Sequence, residues 1–122
     1  MSPTVLVVDD DPAFRDLATR LLTSWGDQVV GTAGSVADAM AQAARLRPDA
    51  ALVDIALPDG DGFALAVGLL ALPWPIRVVL ISSDPDRAFT TAARRIGARG
   101  FLPKDQLNGA AFHELMKDAE RS

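Results

Sequence analysis

The chain has no cysteine. That absence excludes disulfides and thiolate metal sites, and it fits a reducing compartment. No uninterrupted apolar run is long enough to span a bilayer, and no basic stretch at the amino terminus leads into an apolar segment. Neither a membrane-spanning helix nor a secretory signal is therefore read. Basic residues are in the minority, 12 against 16 acidic, for a net charge of −4. A balance of that sign argues against nonspecific binding to a phosphate backbone. Lysine is nearly missing: Lys104 and Lys117 are the only two, and arginine supplies the rest. That imbalance, like the abundance of alanine, reads as coding bias. The single histidine, His113, has no companions at metal-ligand spacing and is expected on the surface of the last helix. The expectation is a soluble cytoplasmic protein with no membrane contact and no direct contact with nucleic acid.

What is present is ordinary for a globular protein. At 122 residues, 49% hydrophobic and 23% charged, the chain supports a single domain over 1–122 that buries roughly two thirds of its unfolded surface. Four apolar runs stand out by how they end. Val5 to Val8 runs into Asp9, Asp10 and Asp11. Ala50 to Val53 runs into Asp54. Val78 to Ile81 runs into Ser82 and Ser83, and Phe101 to Pro103 runs into Lys104. Short runs of this kind read as strands buried on both faces. In open parallel sheets, ligand sites lie at the carboxyl ends of the strands. Carboxylates, a hydroxyl and an ammonium are thus expected on one rim.

The segments between these runs read as helices. Asp11 is expected to cap a first helix with Pro12 in its first turn, carrying Phe14, Leu17, Ala18, Leu21, Leu22 and Trp25 on one stripe up to Gly26. Val29 to Ala33 is a short strand. Ser35 is expected to cap a second helix, with Asp38 completing a variant capping box. Val36, Ala39, Met40, Ala43 and Ala44 face inward, and the helix stops by Pro48. Pro58, Gly60 and Gly62 mark a loop before a helix over Phe63 to Ala71. Asp84 is a candidate cap for a fourth helix from Asp86 to Ile96, closed by Gly97. Asn108 is expected to cap a last helix reaching Glu120. Leu69 to Pro75 is apolar, and packing is favoured over a partner surface there. The alternation is (βα)5, an α/β doubly wound parallel sheet covered by helices on both faces. No internal repeat or linker is found.

In order and at this spacing, VLVVDDDP, PDAALVDIALPDGDG, VVLISS and GARGFLPKD resemble the response-regulator receiver domain of two-component signalling. The resemblance runs from Val5 to about Lys117. It implies a flavodoxin-like fold with strand order 2-1-3-4-5, a Mg²⁺ site, and phosphorylation of an aspartate by a histidine kinase or phosphotransfer protein. It also implies an output partner, unidentified here, and a homodimer formed on phosphorylation.

In that strand order the first and third strands are neighbours, about 4.8 Å apart. Asp9, Asp10 and Asp54 then crowd together, which raises carboxylate pKa values unless a cation intervenes. Mg²⁺ suits an all-oxygen site with retained waters. By resemblance Asp54 is the phosphoacceptor and a metal ligand, Asp10 is a direct ligand, Asp9 acts through water, and Ala56 offers its backbone carbonyl. Lys104 would meet a phosphoryl oxygen as a point charge. Ser82 would donate its hydroxyl to the same group, and Phe101 is the switch aromatic.

The chain departs from the usual pattern in places. Ser82 stands where threonine is commoner, Ser83 where a very small residue is usual, and Asp105 follows Lys104 where proline is frequent. Phe101 has no hydroxyl, so a switch would run on packing alone. Other classes make different demands on the same residues. A phosphatase with an aspartate nucleophile would place a second acid where Ala56 stands. A flavin module would need a phosphate-cradling loop where three aspartates sit. A receiver serving only as a docking surface is kept open by Ser83 and Phe101. The Lys-Asp ending is similar to receivers that precede DNA-binding domains.

Overall fold

A computed structural model describes residues 3–117. Thr4–Val8 (β1), Gln28–Ala33 (β2), Ala50–Asp54 (β3), Arg77–Ser82 (β6) and Gly100–Pro103 (β7) form one sheet, ordered β2-β1-β3-β6-β7. Every pairing in it is parallel. With only these five strands counted, the order is 2-1-3-4-5, as expected. Helices Pro12–Ser24 (α1), Val36–Leu46 (α2), Gly62–Leu70 (α3), Ala88–Arg95 (α4) and Gly109–Met116 (α5) connect and follow them. Two short strands, Ala56–Leu57 (β4) and Gly60–Asp61 (β5), pair antiparallel where only a loop was expected.

The period-two rule for strands divides the core into two layers. Leu6, Val8, Ala51, Val53, Val78 and Leu80 pack with Ala39, Ala43, Leu65, Leu69 and Ala93. Val5, Val7, Ala50, Leu52, Val79 and Ile81 pack with Ala18, Leu22 and Phe112. Alanine is therefore more than coding bias. Ala18, Ala39, Ala43, Ala66 and Ala93 are fully buried on the helices, where a small side chain lets a helix approach the sheet closely. Leu69, Leu70, Leu72 and Trp74 also pack inward. Trp74 Nε1 donates to the Pro48 carbonyl, and the Arg47 guanidinium lies 4.5 Å above its ring.

Helix starts follow side-chain caps. Asp11 accepts from the Ala13 N–H, Ser35 from Asp38, Asp61 from Ala64 and Asn108 from Ala111. Several expectations fail for physical reasons. Asp38 does not complete a capping box. Its carboxylate takes the Gln42 amide, while Asp59 reaches across to accept from the Val36 and Ala37 N–H groups. These two bonds hold the Asp59 carboxyl below the usual carboxylate range. Asp84 does not cap α4. It accepts from the Asp86 N–H, Asp86 accepts from the Ala88 N–H, and the helix begins after this relay. Leu17 and Ala44 are exposed rather than inward, because the sheet-facing stripes on their helices are narrower than the apolar ones. The last helix ends at Met116, and Arg99 takes the Lys117 carbonyl that would continue it. The expected end at Glu120 lies outside the described residues.

His113 is also partnered. Its Nε2 lies 2.8 Å from Oδ2 of Asp27, whose side chain is buried. The His113 side chain is still 42% exposed, and the contact forms because α5 packs against the turn ahead of β2, 86 positions away in sequence.

Candidate functional site

Strand endings set the site. Val8 and Val53 are register partners in neighbouring strands, and Asp54 pairs with Ile81. Parallel register brings the carboxyl ends of β1, β3 and β6 level, so Asp9, Asp54 and Ser82 arrive on one rim. Each of the three is buried. Asp10 follows Asp9 and is exposed. Carboxylate oxygens of Asp9, Asp10 and Asp54 lie within 4.8 Å of one another, the only such acidic cluster among the described residues.

Lys104 enters from the end of β7 in the short 3-10 turn Lys104–Gln106. Its Nζ lies 2.6 Å from Asp9 Oδ2 and 3.1 Å from Asp54 Oδ2. The ring of Phe14, in the first turn of α1, sits below the same ammonium with its centroid 4.5 Å away. Burial alone would lower the Lys104 pKa, but Asp9 and Asp54 together outweigh it and raise it. Asp9 is held less evenly. Burial raises its pKa, the neighbouring Asp54 charge adds to that, and Lys104 and the Asp11 N–H only partly offset it. Asp9 Oδ2 is buried, and the Lys104 ammonium is its close partner.

Backbone contacts fix the acids. Asp9 Oδ1 accepts from the Asp11 N–H at 2.9 Å, and the Asp9 carbonyl accepts from Arg15 Nη1 at 2.6 Å. Asp54 Oδ1 accepts from the Ala56 N–H at 3.1 Å. Ala56 opens the small hairpin immediately after the phosphoacceptor candidate. Ser82 Oγ accepts from the Asp84 N–H at 2.9 Å, which leaves its own proton free to donate elsewhere. Ser83 is exposed at the rim. Phe101 is buried and meets Phe89 edge-on at 5.2 Å, and Phe89 in turn meets Phe63 at 5.9 Å.

All the sequence-expected residues except Phe101 fall on this rim; Phe101 lies one strand away in the core beneath α4. Sequence reasoning missed three neighbours. Phe14 fits an apolar stripe, and nothing in its spacing marks the lysine above it. Gly62 reads as loop punctuation. Arg15 carries no signal beyond its nearness to the acidic run.

The donor set is oxygen only, clustered and partly buried. It fits a hard divalent cation such as Mg²⁺ and does not fit Zn²⁺, which favours nitrogen and sulfur. No ion is needed to describe the geometry itself.

The chain matches the model of the response regulator receiver domain over residues 5–117. It is 36% identical to the DNA-binding transcriptional activator DevR/DosR of Mycobacterium tuberculosis, over 93% of this chain and 52% of that protein. It is 40% identical to a protein-glutamate methylesterase/protein-glutamine glutaminase of Anaeromyxobacter dehalogenans, over 88% of this chain and 31% of that protein. Among solved structures, the signal receiver domain of the putative response regulator NarL from Mycobacterium tuberculosis superposes with a TM-score of 0.83 at 34% identity, covering 96% of this chain and 98% of that one. The chain spans about half or less of the length of these curated relatives. No helix among the described residues is long and apolar enough to cross a membrane. With its parallel five-stranded fold and its acidic rim, the chain belongs to the response regulator receiver domain family of two-component systems.

Proposed function

We propose that this domain accepts a phosphoryl group on Asp54 from a histidine kinase or phosphotransfer protein and thereby changes the surface it offers to an output partner. The carrying observation is the position of Lys104, its ammonium shared between Asp9 and Asp54 at the base of the three-carboxylate cluster.

Asp54 attacks the phosphorus as a carboxylate nucleophile. The bond from phosphorus to the donor imidazole breaks, the imidazole keeps the electron pair, and an acyl phosphate forms. The Ala56 N–H on Oδ1 holds the attacking carboxylate in one orientation. Lys104, charged across the neutral range, neutralises charge on the phosphoryl oxygens. Mg²⁺, held by Asp10, Asp54 and the Ala56 carbonyl with Asp9 acting through water, would supply the remaining neutralisation. Ser82 moves toward the new phosphoryl group and donates its free proton to it while its oxygen accepts from the Asp84 N–H. The Phe63–Phe89–Phe101 stack then repacks beneath α4, a shift between two packings of one fold. A homodimer formed on phosphorylation is one such output. The domain's chemistry is its own phosphorylation and dephosphorylation, and any DNA-binding or enzymatic output belongs to other domains or partners.

The test is mass spectrometry after incubation with Mg²⁺ and a small acyl phosphate. The wild type should gain one phosphoryl mass and Asp54→Asn none. The same adduct on Asp54→Asn would reject the assignment.

A further inference from the structure

The Lys104 ammonium has three neighbours of note, and two of them change during the reaction proposed above. Asp54 would become an acyl phosphate, and Asp9 would help hold the cation through water. The third, the face of Phe14, is untouched by either event. Its centroid lies 4.5 Å from Nζ, within the roughly 6 Å over which an aromatic face attracts a cation. The Lys104 side chain is only 17% exposed, so water screens this attraction weakly.

Phe14 is well fixed for the task. It is the third residue of α1, whose start is set by the Asp11 cap and Pro12. Its half-buried ring rests on the core layer that contains Val7 and Leu22. A lysine on a flexible stem is thereby given a rigid seat that neither metal binding nor phosphorylation removes.

We propose that Phe14 is a positioning residue for Lys104, seating the ammonium by cation–π contact while its two carboxylate partners are engaged elsewhere. The proposal rests on the reading of Asp54 as phosphoacceptor, but the contact itself is measurable without phosphorylation.

The scarcity of lysine makes the measurement direct. Lys104 and Lys117 are the only lysines, so Lys117→Arg assigns both ε-methylene signals in the proton spectrum. In the metal-free wild type the Lys104 signal should lie upfield of the Lys117 signal through the ring current, and Phe14→Leu should abolish the difference. Coincident signals in the wild type would overturn the contact.

Function is then read with phenylalanines carrying one, two and three ring fluorines at position 14. These keep the shape of the ring while draining negative charge from its face. Phosphoryl uptake should fall in order along the series, by about three- to thirtyfold in all. Uptake at the wild-type rate throughout, with the upfield signal retained, would show that the ring only fills space and would overturn the role. The fluorinated series carries the test even if Phe14→Leu folds poorly. Absence of uptake by the wild type would instead sink the phosphoacceptor reading, while the lysine signals would still decide the contact.

Discussion

A Cβ placed on Gly62 would fall 2.3 Å from the backbone carbonyl oxygen of Asp54 and 2.7 Å from the Cα of Ile55. Both are backbone atoms of the segment that carries Asp54, the proposed phosphoacceptor, so they yield only if that segment moves. The Gly62 N–H also donates to the Ile55 carbonyl, which ties the start of α3 to the end of β3.

Gly62→Ala should therefore displace Asp54 as well as destabilise the fold. Overpacking of this kind costs about 1–3 kcal/mol. Denaturant unfolding should show that loss, and phosphoryl uptake by the still-folded protein should fall with it. A variant with wild-type stability would mean that the two segments part freely.

Asp9→Asn should stabilise the metal-free protein. In the fold, burial and the Asp54 charge raise the Asp9 pKa, so the native state binds a proton that the unfolded state releases. Metal-free stability then falls as pH rises from the ordinary carboxylate value through the raised one. The variant removes that dependence. Lys104 keeps Asp54 as a partner, so no buried charge is orphaned, and the gain at neutral pH should be on the order of 1 kcal/mol. Mg²⁺ held by the folded acidic cluster as proposed should stabilise the wild type more than the variant. Thermal melts across pH, with and without Mg²⁺, measure both effects. Equal pH dependence in the two proteins would remove Asp9 as its source.

The rim was legible because it is written in strand endings. A run such as Val78 to Ile81, buried on both faces, needs no partner information to be read as a central strand, and the residue after it must emerge at the sheet's edge. What was hidden depends on distances between elements. Asp27 and His113 meet across 86 positions, and neither has a neighbour in sequence that announces the other. Asp59 caps a helix that precedes it in the chain, so no local cap pattern contains it. Asp84 and Asp86 share a cap signal, and only the backbone decides which N–H each receives. Phe14 satisfies the apolar stripe as well as Leu22 does, yet the lysine above it comes from the turn after a strand, 90 positions later (Phe14 to Lys104).

On the proposed reading, the lifetime of the phosphorylated state should turn on Ala56 and Asp84. They stand two residues after Asp54 and two after Ser82, where an attacking water would pass. Both are exposed. Ala56 has no side-chain group to orient that water. Asp84 has a carboxylate, but its Oδ1 is committed to the Asp86 N–H at 3.2 Å and its own N–H to Ser82 Oγ. Turning it toward a water would break the relay that leads into α4. The missing donor at position 56 should therefore dominate, and hydrolysis should be slow to moderate for a receiver. One orienting contact is worth roughly 1–2 kcal/mol, or about five- to thirtyfold in rate. Ala56→Asn should speed dephosphorylation by that factor, and Asp84→Ala should change it less. Decay of the adduct in all three proteins at one Mg²⁺ concentration measures the comparison. Decay of Ala56→Asn at the wild-type rate would mean that water orientation at this position does not limit hydrolysis, and a larger effect from Asp84→Ala would transfer the role to the relay.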